Sequence, residues 1–454
     1  MRVVMVEPQG QGGICHYAYS LCAALSESQR MDVTLATGDP YELADAPQSF
    51  PVMTPFGPGI ERKAIQRLLR RPDLRQHAQP ALGTAASPPT LTRAESPTTT
   101  PFQANSAAGR ASRWLAMREA DRGWRCVLGL MRSQPSTVAH IQWFMNPERD
   151  RQWVDLLRAC KVPIVLTAHN ILPHDAPPET RATWAGLYNA ADALIVHYQR
   201  ALDELDALGI DLGKVSVISH GNYCGIQALT HGSGDMGTRR TAARQRLGLS
   251  PTAPVVLCFG LMRPYKGIQY LLPAFAAVRQ QLPEARLILA GRAPDGFATV
   301  QAEIARLGLE DATLSFPTYL PLRDAATVFE ACDLVALPYV EASQSGVVQL
   351  AYANSRPVVA TRVGGIPEAV LDGETGALVA PRESDELAQT LLSLLRDREH
   401  CALLGARARQ YAEEQFAWGP IAERTAQVYE RVSGSTRMGV TVAQQGASLG
   451  KSVE

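Results

Sequence analysis

Apolar positions along this chain fall into two alternating kinds of run. The first kind is short, continuous and rich in Val, Ile and Leu: Val3–Val6, Asp32–Thr37, Val138–Phe144, Val162–Thr167, Ala193–Val196 and Val215–Ile218 in the first half. Val255–Phe259, Arg286–Ala290, Thr313–Phe316, Asp333–Leu337, Pro357–Thr361 and Gly376–Val379 follow in the second. Such runs are the signature of strands buried on both faces of a parallel sheet. The second kind repeats at helical spacing, as in Tyr17, Leu21, Leu25 and again in Ile268, Leu271, Leu272, Phe275, Val278. It predicts further helices over 112–131, 241–247, 322–331, 384–395, 398–415 and 420–432. Strand and helix alternate throughout, which predicts an α/β chain built on two doubly wound, Rossmann-like parallel sheets.

The alternation fails in two places. Residues 59–75 carry Arg62, Lys63, Arg67, Arg70, Arg71 and Arg75 around Ile65, Leu68 and Leu69. That pattern suits a helix lying on an anionic membrane surface, and equally a solvated helix of an α/β domain. Residues 77–111 are Pro-, Thr-, Ser- and Ala-rich with almost no large apolar side chain, so they are expected to form a disordered insertion. The first domain is therefore set at 1–224, a linker at 225–253 and the second domain at 254–418, with a frayed tail over 434–454.

Lys plus Arg balances Asp plus Glu at 44 each, which gives no global charge for nucleic acid. The eight cysteines are dispersed without a Cys-x-x-Cys pair, as expected of free thiols in a reducing compartment. No apolar run approaches the roughly 20 residues that span a bilayer. A cytoplasmic protein follows, peripheral at the inner face of the membrane if 59–75 docks there.

Candidate chemistry collects in the turns that follow strands, the side on which open α/β sheets bind ligands. Gly12-Gly13 lies between the first strand and its helix, where a bare backbone can approach a phosphate or simply turn tightly. Arg263 and Lys266 stand before the helix that begins at Ile268 and place two cations where a helix dipole already favours an anion. Ser345-Gly346 opens a further helix after Glu341. Thr167-Ala-His169-Asn170, with Pro173 and His174, forms a polar loop at a buried strand's end. His220-Gly221 ends the last strand of the first half, with a ligand-facing and a turn-stabilising role both open. There is no Asp-x-Asp pair for a metal, no zinc spacing, no P-loop and no nucleophile elbow.

Glu341, Ser345-Gly346, Pro357–Thr361 and Val363-Gly-Gly-Ile-Pro-Glu368, joined to Thr167-Ala-His169 and the Arg263/Lys266 turn, occur in one order that resembles the family 4 (group 1) glycosyltransferases. The resemblance implies a GT-B architecture, with an acceptor-side domain facing a nucleotide-sugar domain across a cleft and a helix over 419–433 crossing back to the first. It implies retaining transfer of a hexose from a UDP- or GDP-sugar to an acceptor hydroxyl, without metal or other cofactor. It puts His169 beside the transferred sugar and Glu341 on the sugar's hydroxyls. Gly13, Arg263, Lys266, Ser345 and Gly346 would hold the diphosphate, and His220, Gln349 and Glu368 would lie near the nucleotide and sugar. A saccharide acceptor is implied, lipid-linked if 59–75 meets membrane. The chain departs from the family pattern at three points: Asn170 stands where Asp is usual, Arg263 is displaced from the family position held here by Leu261, and the second glutamate is missing, its position falling on Gln349 counted from Glu341 or on Leu350 counted back from Pro357. A catalytically idle relative that binds a sugar nucleotide or a partner enzyme, and a nucleotide-sugar epimerase, are the rival readings.

Overall fold

The computed structural model describes residues 1–28, 31–57, 107–134, 137–144, 146–173, 177–230 and 235–449. The basic segment 59–75, residues 77–106 of the expected insertion and His174 lie outside the described residues.

The first domain is built on strands β1 (Arg2–Glu7), β2 (Asp32–Gly38), β3 (Val52–Phe56), β4 (Thr137–Ile141), β5 (Ile164–Thr167), β6 (Ala193–Val196) and β7 (Val215–Val217), all parallel, in the order β3-β2-β1-β4-β5-β6-β7. Its helices are α1 (Gly13–Glu27), α2 (Ala107–Ser133), α3 (Pro147–Ala159), α4 (Arg181–Ala190), α5 (Ala201–Asp206) and the short α6 (Cys224–Ala228). After α7 (Met236–Arg246), strands β8 (Val255–Phe259), β9 (Arg286–Ala290), β10 (Thr313–Phe316), β11 (Leu334–Leu337), β12 (Val358–Thr361) and β13 (Gly376–Val379) form a second parallel sheet, order β10-β9-β8-β11-β12-β13. Helices α8 (Ile268–Gln281), α9 (Ala298–Arg306), α10 (Leu322–Ala331), α11 (Gly346–Ala353), α12 (Ile366–Ala369), α13 (Ser384–Arg396) and α14 (Arg398–Gln415) cover it, and α15 (Trp418–Leu449) ends the described chain.

Each sheet separates two cores, because successive side chains of a strand point to opposite faces. In β1, Val4 and Val6 pack with Trp124 of α2 and Trp153 of α3, while Val3 and Met5 pack with Tyr17 and Leu21 of α1 and with Tyr429 of α15. In β8, Val255 and Leu257 join Phe329 of α10, while Val256 joins Leu271 and Phe275 of α8. Double-faced burial is why the strands read as unbroken apolar runs. Helix α15 is thus structural cover for the first sheet, although it follows the second domain in sequence.

Four expectations change. Strand β3 is absent from the sequence reading because Pro51 and Pro55 mask it; it sits at the sheet edge, where a missing N–H is tolerated. Helix α2 begins at Ala107 rather than 112, because Ala107, Ala108 and Ala111 favour helix. Strand β4 stops at Ile141; Gln142 N donates once more to Val6 O at 2.9 Å, then Gln142–Phe144 leave the sheet. Helix α15 runs on to Leu449 through the segment expected to fray from Gly434, since elongating an established helix adds a hydrogen bond per residue and no proline stops it.

Candidate active site

The turns after the strands of both sheets meet between the two domains, and glycine makes the meeting possible. Gly267 has φ 71°, and a Cβ there would lie 1.8 Å from Pro338 O, so the turn before α8 rests directly on the end of β11. Gly364, at φ 51°, approaches Ala342 O as closely, and Gly365 N donates to Ser343 O at 2.7 Å. The loops before α8, α11 and α12 are therefore one packed surface.

On that surface Lys266 lies with Nζ 3.7 Å from the centre of the Tyr339 ring, an attractive placement over the negative ring face. Desolvation lowers its pKa from the ordinary lysine value, with Tyr265 and Cys258 pulling the other way, and among the described residues no carboxylate pairs with it. The Tyr339 hydroxyl meets Ser345 Oγ at 3.2 Å, and Ser345 is the N-cap of α11. A Cβ added at Gly346 would meet the Tyr223 hydroxyl at 3.2 Å, and that hydroxyl donates to Gly13 O at 3.0 Å. Lys266, Ser345, Gly346 and Gly13 are thus joined through two tyrosines that sequence reasoning passed over. Arg263 is half-buried one turn before Lys266, whose N–H donates to Arg263 O at 2.9 Å. A cation and the open N–H groups of a helix start, side by side, are what a diphosphate requires.

Glu341 is exposed on the wall of a cleft of about 330 Å³ that also takes Leu172 and Pro173, from the loop carrying His169, and Arg181 of α4. Gln349 is 3% exposed, with Oε1 unpaired, on α11 just behind the helix start. The Glu368 carboxylate accepts from Gln199 N at 2.7 Å and Arg200 N at 3.4 Å, at the start of α5, and so ties the domains together at the surface.

His169 is 4% exposed, with both ring nitrogens engaged: Nε2 lies 3.0 Å from the Gln142 amide and Nδ1 lies 3.2 Å from His197 Nε2. His220 shares this nest, its Nδ1 2.7 Å from Gly221 O. Tyr17 packs edge-on to His169 at 4.9 Å and lies 5.0 Å from both His197 and His220. Three successive strands, β5, β6 and β7, each deliver one of these histidines just past their carboxyl ends. Burial pushes His197 down to about 4 and His220 down to about 3, and holds His169 well below the usual histidine range. They are neutral rings.

A second cluster was not read from the sequence because its members are far apart in it. Glu42 Oε2 accepts from Gly12 N at 3.1 Å, His16 Nε2 at 2.8 Å and the Tyr319 hydroxyl at 2.6 Å, while Oε1 accepts from Leu322 N at 3.2 Å. Burial pushes the Glu42 carboxyl up, but these hydrogen bonds outweigh it and leave the pKa below the ordinary value. Gly12 and His16 belong to the first domain, Tyr319 and Leu322 to the second, so one carboxylate joins the glycine turn to the opposite domain. Among the described residues, no group of three His, Cys, Asp or Glu side chains is placed to hold a metal, and no helix is long and apolar enough to cross a membrane.

Residues 253–397 match the family model described as Glycosyl transferases group 1. The D-inositol 3-phosphate glycosyltransferase of Corynebacterium efficiens is 32% identical over 288 residues, covering 60% of this chain and 66% of that protein. The Corynebacterium glutamicum protein of the same name is 31% identical over 304 residues, covering 62% of this chain and 70% of that one. Among solved structures, Anabaena HepE in complex with UDP and glucose superposes with a TM-score of 0.67 at 20% identity, over 95% of this chain and 100% of that one. WaaG, a glycosyltransferase involved in lipopolysaccharide biosynthesis, superposes with a TM-score of 0.61 at 14% identity, over 96% and 100%. At these identities the two structures speak for the fold, which is GT-B.

Proposed function

The chain belongs to the group 1 glycosyltransferases, and from that membership we propose that it moves a hexose from a UDP-sugar to a hydroxyl of a saccharide or cyclitol acceptor, retaining the anomeric configuration. The observation that carries the reading is the Lys266 ammonium: partly buried, resting on the Tyr339 ring, with no carboxylate paired to it among the described residues, and linked through Tyr339 to Ser345 at the start of α11. Departure of the sugar leaves negative charge on the diphosphate, and a preorganised cation with helix N–H groups stabilises that charge as it forms. Arg263 adds a second cation to the same turn. Glu341 orients the sugar through its hydroxyls, and the His169 loop bounds the other side of the cleft. No proton transfer is assigned to His169, since both its nitrogens are held within the protein.

UDP is favoured over GDP because HepE carries UDP and glucose, or UDP-glucose, in a closely similar fold. The cyclitol alternative for the acceptor comes from relatives named for D-inositol 3-phosphate. A lipid-linked acceptor rests on residues 59–75, outside the described chain. Calorimetric titration of UDP and GDP into the native protein and Lys266→Ala tests the donor site. UDP is expected to bind the native protein and to lose about 1–3 kcal/mol in the variant. Binding of neither nucleotide overturns the transferase reading in favour of the idle relative. If the donor site stands, turnover with inositol phosphate, free oligosaccharide and lipid-linked saccharide sorts the acceptors.

A further inference from the structure

Behind the cleft, side chains from three strands and the last helix form one unbroken, fully buried hydrogen-bonded chain. The Tyr429 hydroxyl of α15 lies 2.6 Å from His140 Nδ1 on β4. His140 Nε2 lies 2.7 Å from Thr167 Oγ1 and 3.0 Å from the Gln142 amide. The other end of that amide lies 3.0 Å from His169 Nε2. His169 Nδ1 lies 3.2 Å from His197 Nε2, and His197 Nδ1 lies 2.9 Å from Ile218 O. Tyr429, His140 and Gln142 are 0% exposed, so no water competes for these contacts.

The chain has a direction, and its closed end sets it. A carbonyl only accepts, so the His197 proton is on Nδ1 and its Nε2 is an acceptor. His169 must then donate from Nδ1, which leaves Nε2 with a lone pair if the ring is neutral. That lone pair needs a donor, and the amide nitrogen of Gln142 supplies it when the two ends of the amide are exchanged, which gives up the contact of Nε2 to Met5 Sδ at 2.9 Å. Gln142 Oε1 then accepts from His140 Nε2–H, and His140 Nδ1 accepts from Tyr429. Every donor points the same way, from α15 to Ile218. The opposite amide orientation sets Oε1 against His169 Nε2 and works only with an extra proton on the His169–His197 pair. The groups facing His169 are His197, His220 and, beyond Gln142, His140 from the strands, with Tyr17 from α1; there is no carboxylate among them to hold that proton.

We propose that Gln142 is a positioning residue of the transfer site: its amide at Nε2, together with the His197 acceptor at Nδ1, holds His169 in the neutral form with its proton on Nδ1, and so fixes the loop Ala168–Asn170 at the cleft. The inference rests on the reading that this loop bounds the bound sugar.

The test is ring-nitrogen NMR of the full-length protein, with turnover measured against pH. Native His169 is expected to show Nδ1 protonated and Nε2 bare. Gln142→Glu is nearly isosteric but can only accept at both ends, so it pulls a proton onto His169 Nε2. The His169 signals should move accordingly. kcat should fall at least about tenfold with donor KM little changed, and the loss should deepen as pH is lowered, by an ionisation the native enzyme lacks. Tyr429→Phe removes only the first donor and leaves the Ile218 end intact, so the His169 signals and kcat should stay close to native. Unchanged His169 signals in Gln142→Glu, or a Gln142→Glu loss equal at every pH, overturn the proposal. Should Gln142→Glu not fold, Gln142→Met, which removes the amide without adding charge, decides by the same His169 signals. The NMR readout needs no turnover, so an inactive native protein would count against the transferase reading without touching the relay.

Discussion

Gln349 shows how one side chain separates binding from stability. Its Oε1 is buried without a partner, which costs folding free energy unless a ligand donor reaches it. Gln349→Met keeps the volume and removes the orphan, so the unliganded variant should melt at or above the native temperature while UDP binds about five- to tenfold more weakly. A variant that binds UDP as the native protein does takes Gln349 out of the donor site. The histidines make a second residue-scale prediction. Burial pushes His140 down to about 3, His220 down to about 3 and His197 down to about 4, whereas the unfolded chain protonates near 6.5. With folded values depressed, the unfolded state binds more protons below pH 6.5, so this stabilisation is complete above that pH and is lost as pH falls toward 4. Each ring contributes about 1.4 kcal/mol per pH unit within that window. Urea unfolding at pH 7.5 and 5.5 should show the loss, and a His140→Gln variant should show a shallower one.

At the scale of elements, chemistry is held by turns whose backbones touch. A side chain at Gly267 or Gly364 would displace Pro338 or Ala342, so Gly267→Ala is expected to lower stability and UDP affinity together. Helix α7 is held differently. Arg244, 2% exposed, donates to Ala331 O, Ser250 O, Pro251 O and Ala253 O and pairs with Asp333 at 3.0 Å; Asp333 in turn accepts from Val255 N at the head of β8. Arg244→Leu strips a half-buried carboxylate of one partner and orphans several carbonyls, a loss of about 3 kcal/mol measurable by denaturant unfolding. Sequence pattern located the strands of the second sheet well because all are short apolar runs between glycine turns. It lost β3 to its prolines and passed over α3 to α5, where Trp153, Trp184 and Tyr188 mark the buried faces but charged residues break the apolar spacing.

Across the whole molecule, two carboxylates tie the domains. Glu368 sits at the surface on two backbone N–H groups, where such contacts contribute little. Glu42 is more enclosed and takes four donors, two from each domain, so it dominates. Glu42→Ala should open the cleft, seen as a larger radius of gyration in solution scattering that UDP reverses only in part, whereas Glu368→Ala should leave the scattering unchanged. Much of this protein was legible in order along the chain: two parallel sheets from unbroken apolar runs, and the Gly13, Arg263, Lys266 and Ser345-Gly346 turns from glycine and charge at strand ends. Those features are local, set by the period of a strand and the needs of a turn. The contacts between them are not local. Tyr223 and Tyr339 join the turns, Glu42 reaches Tyr319, and Tyr429 reaches His140 across hundreds of residues. A hydrogen bond depends on direction and a few tenths of an ångström, and only the packed sheets bring residues so distant in sequence to that separation. The sequence determined which chemistry stands at each strand end; the tertiary structure decided which of those ends meet, and in which state of protonation His169 is held between them.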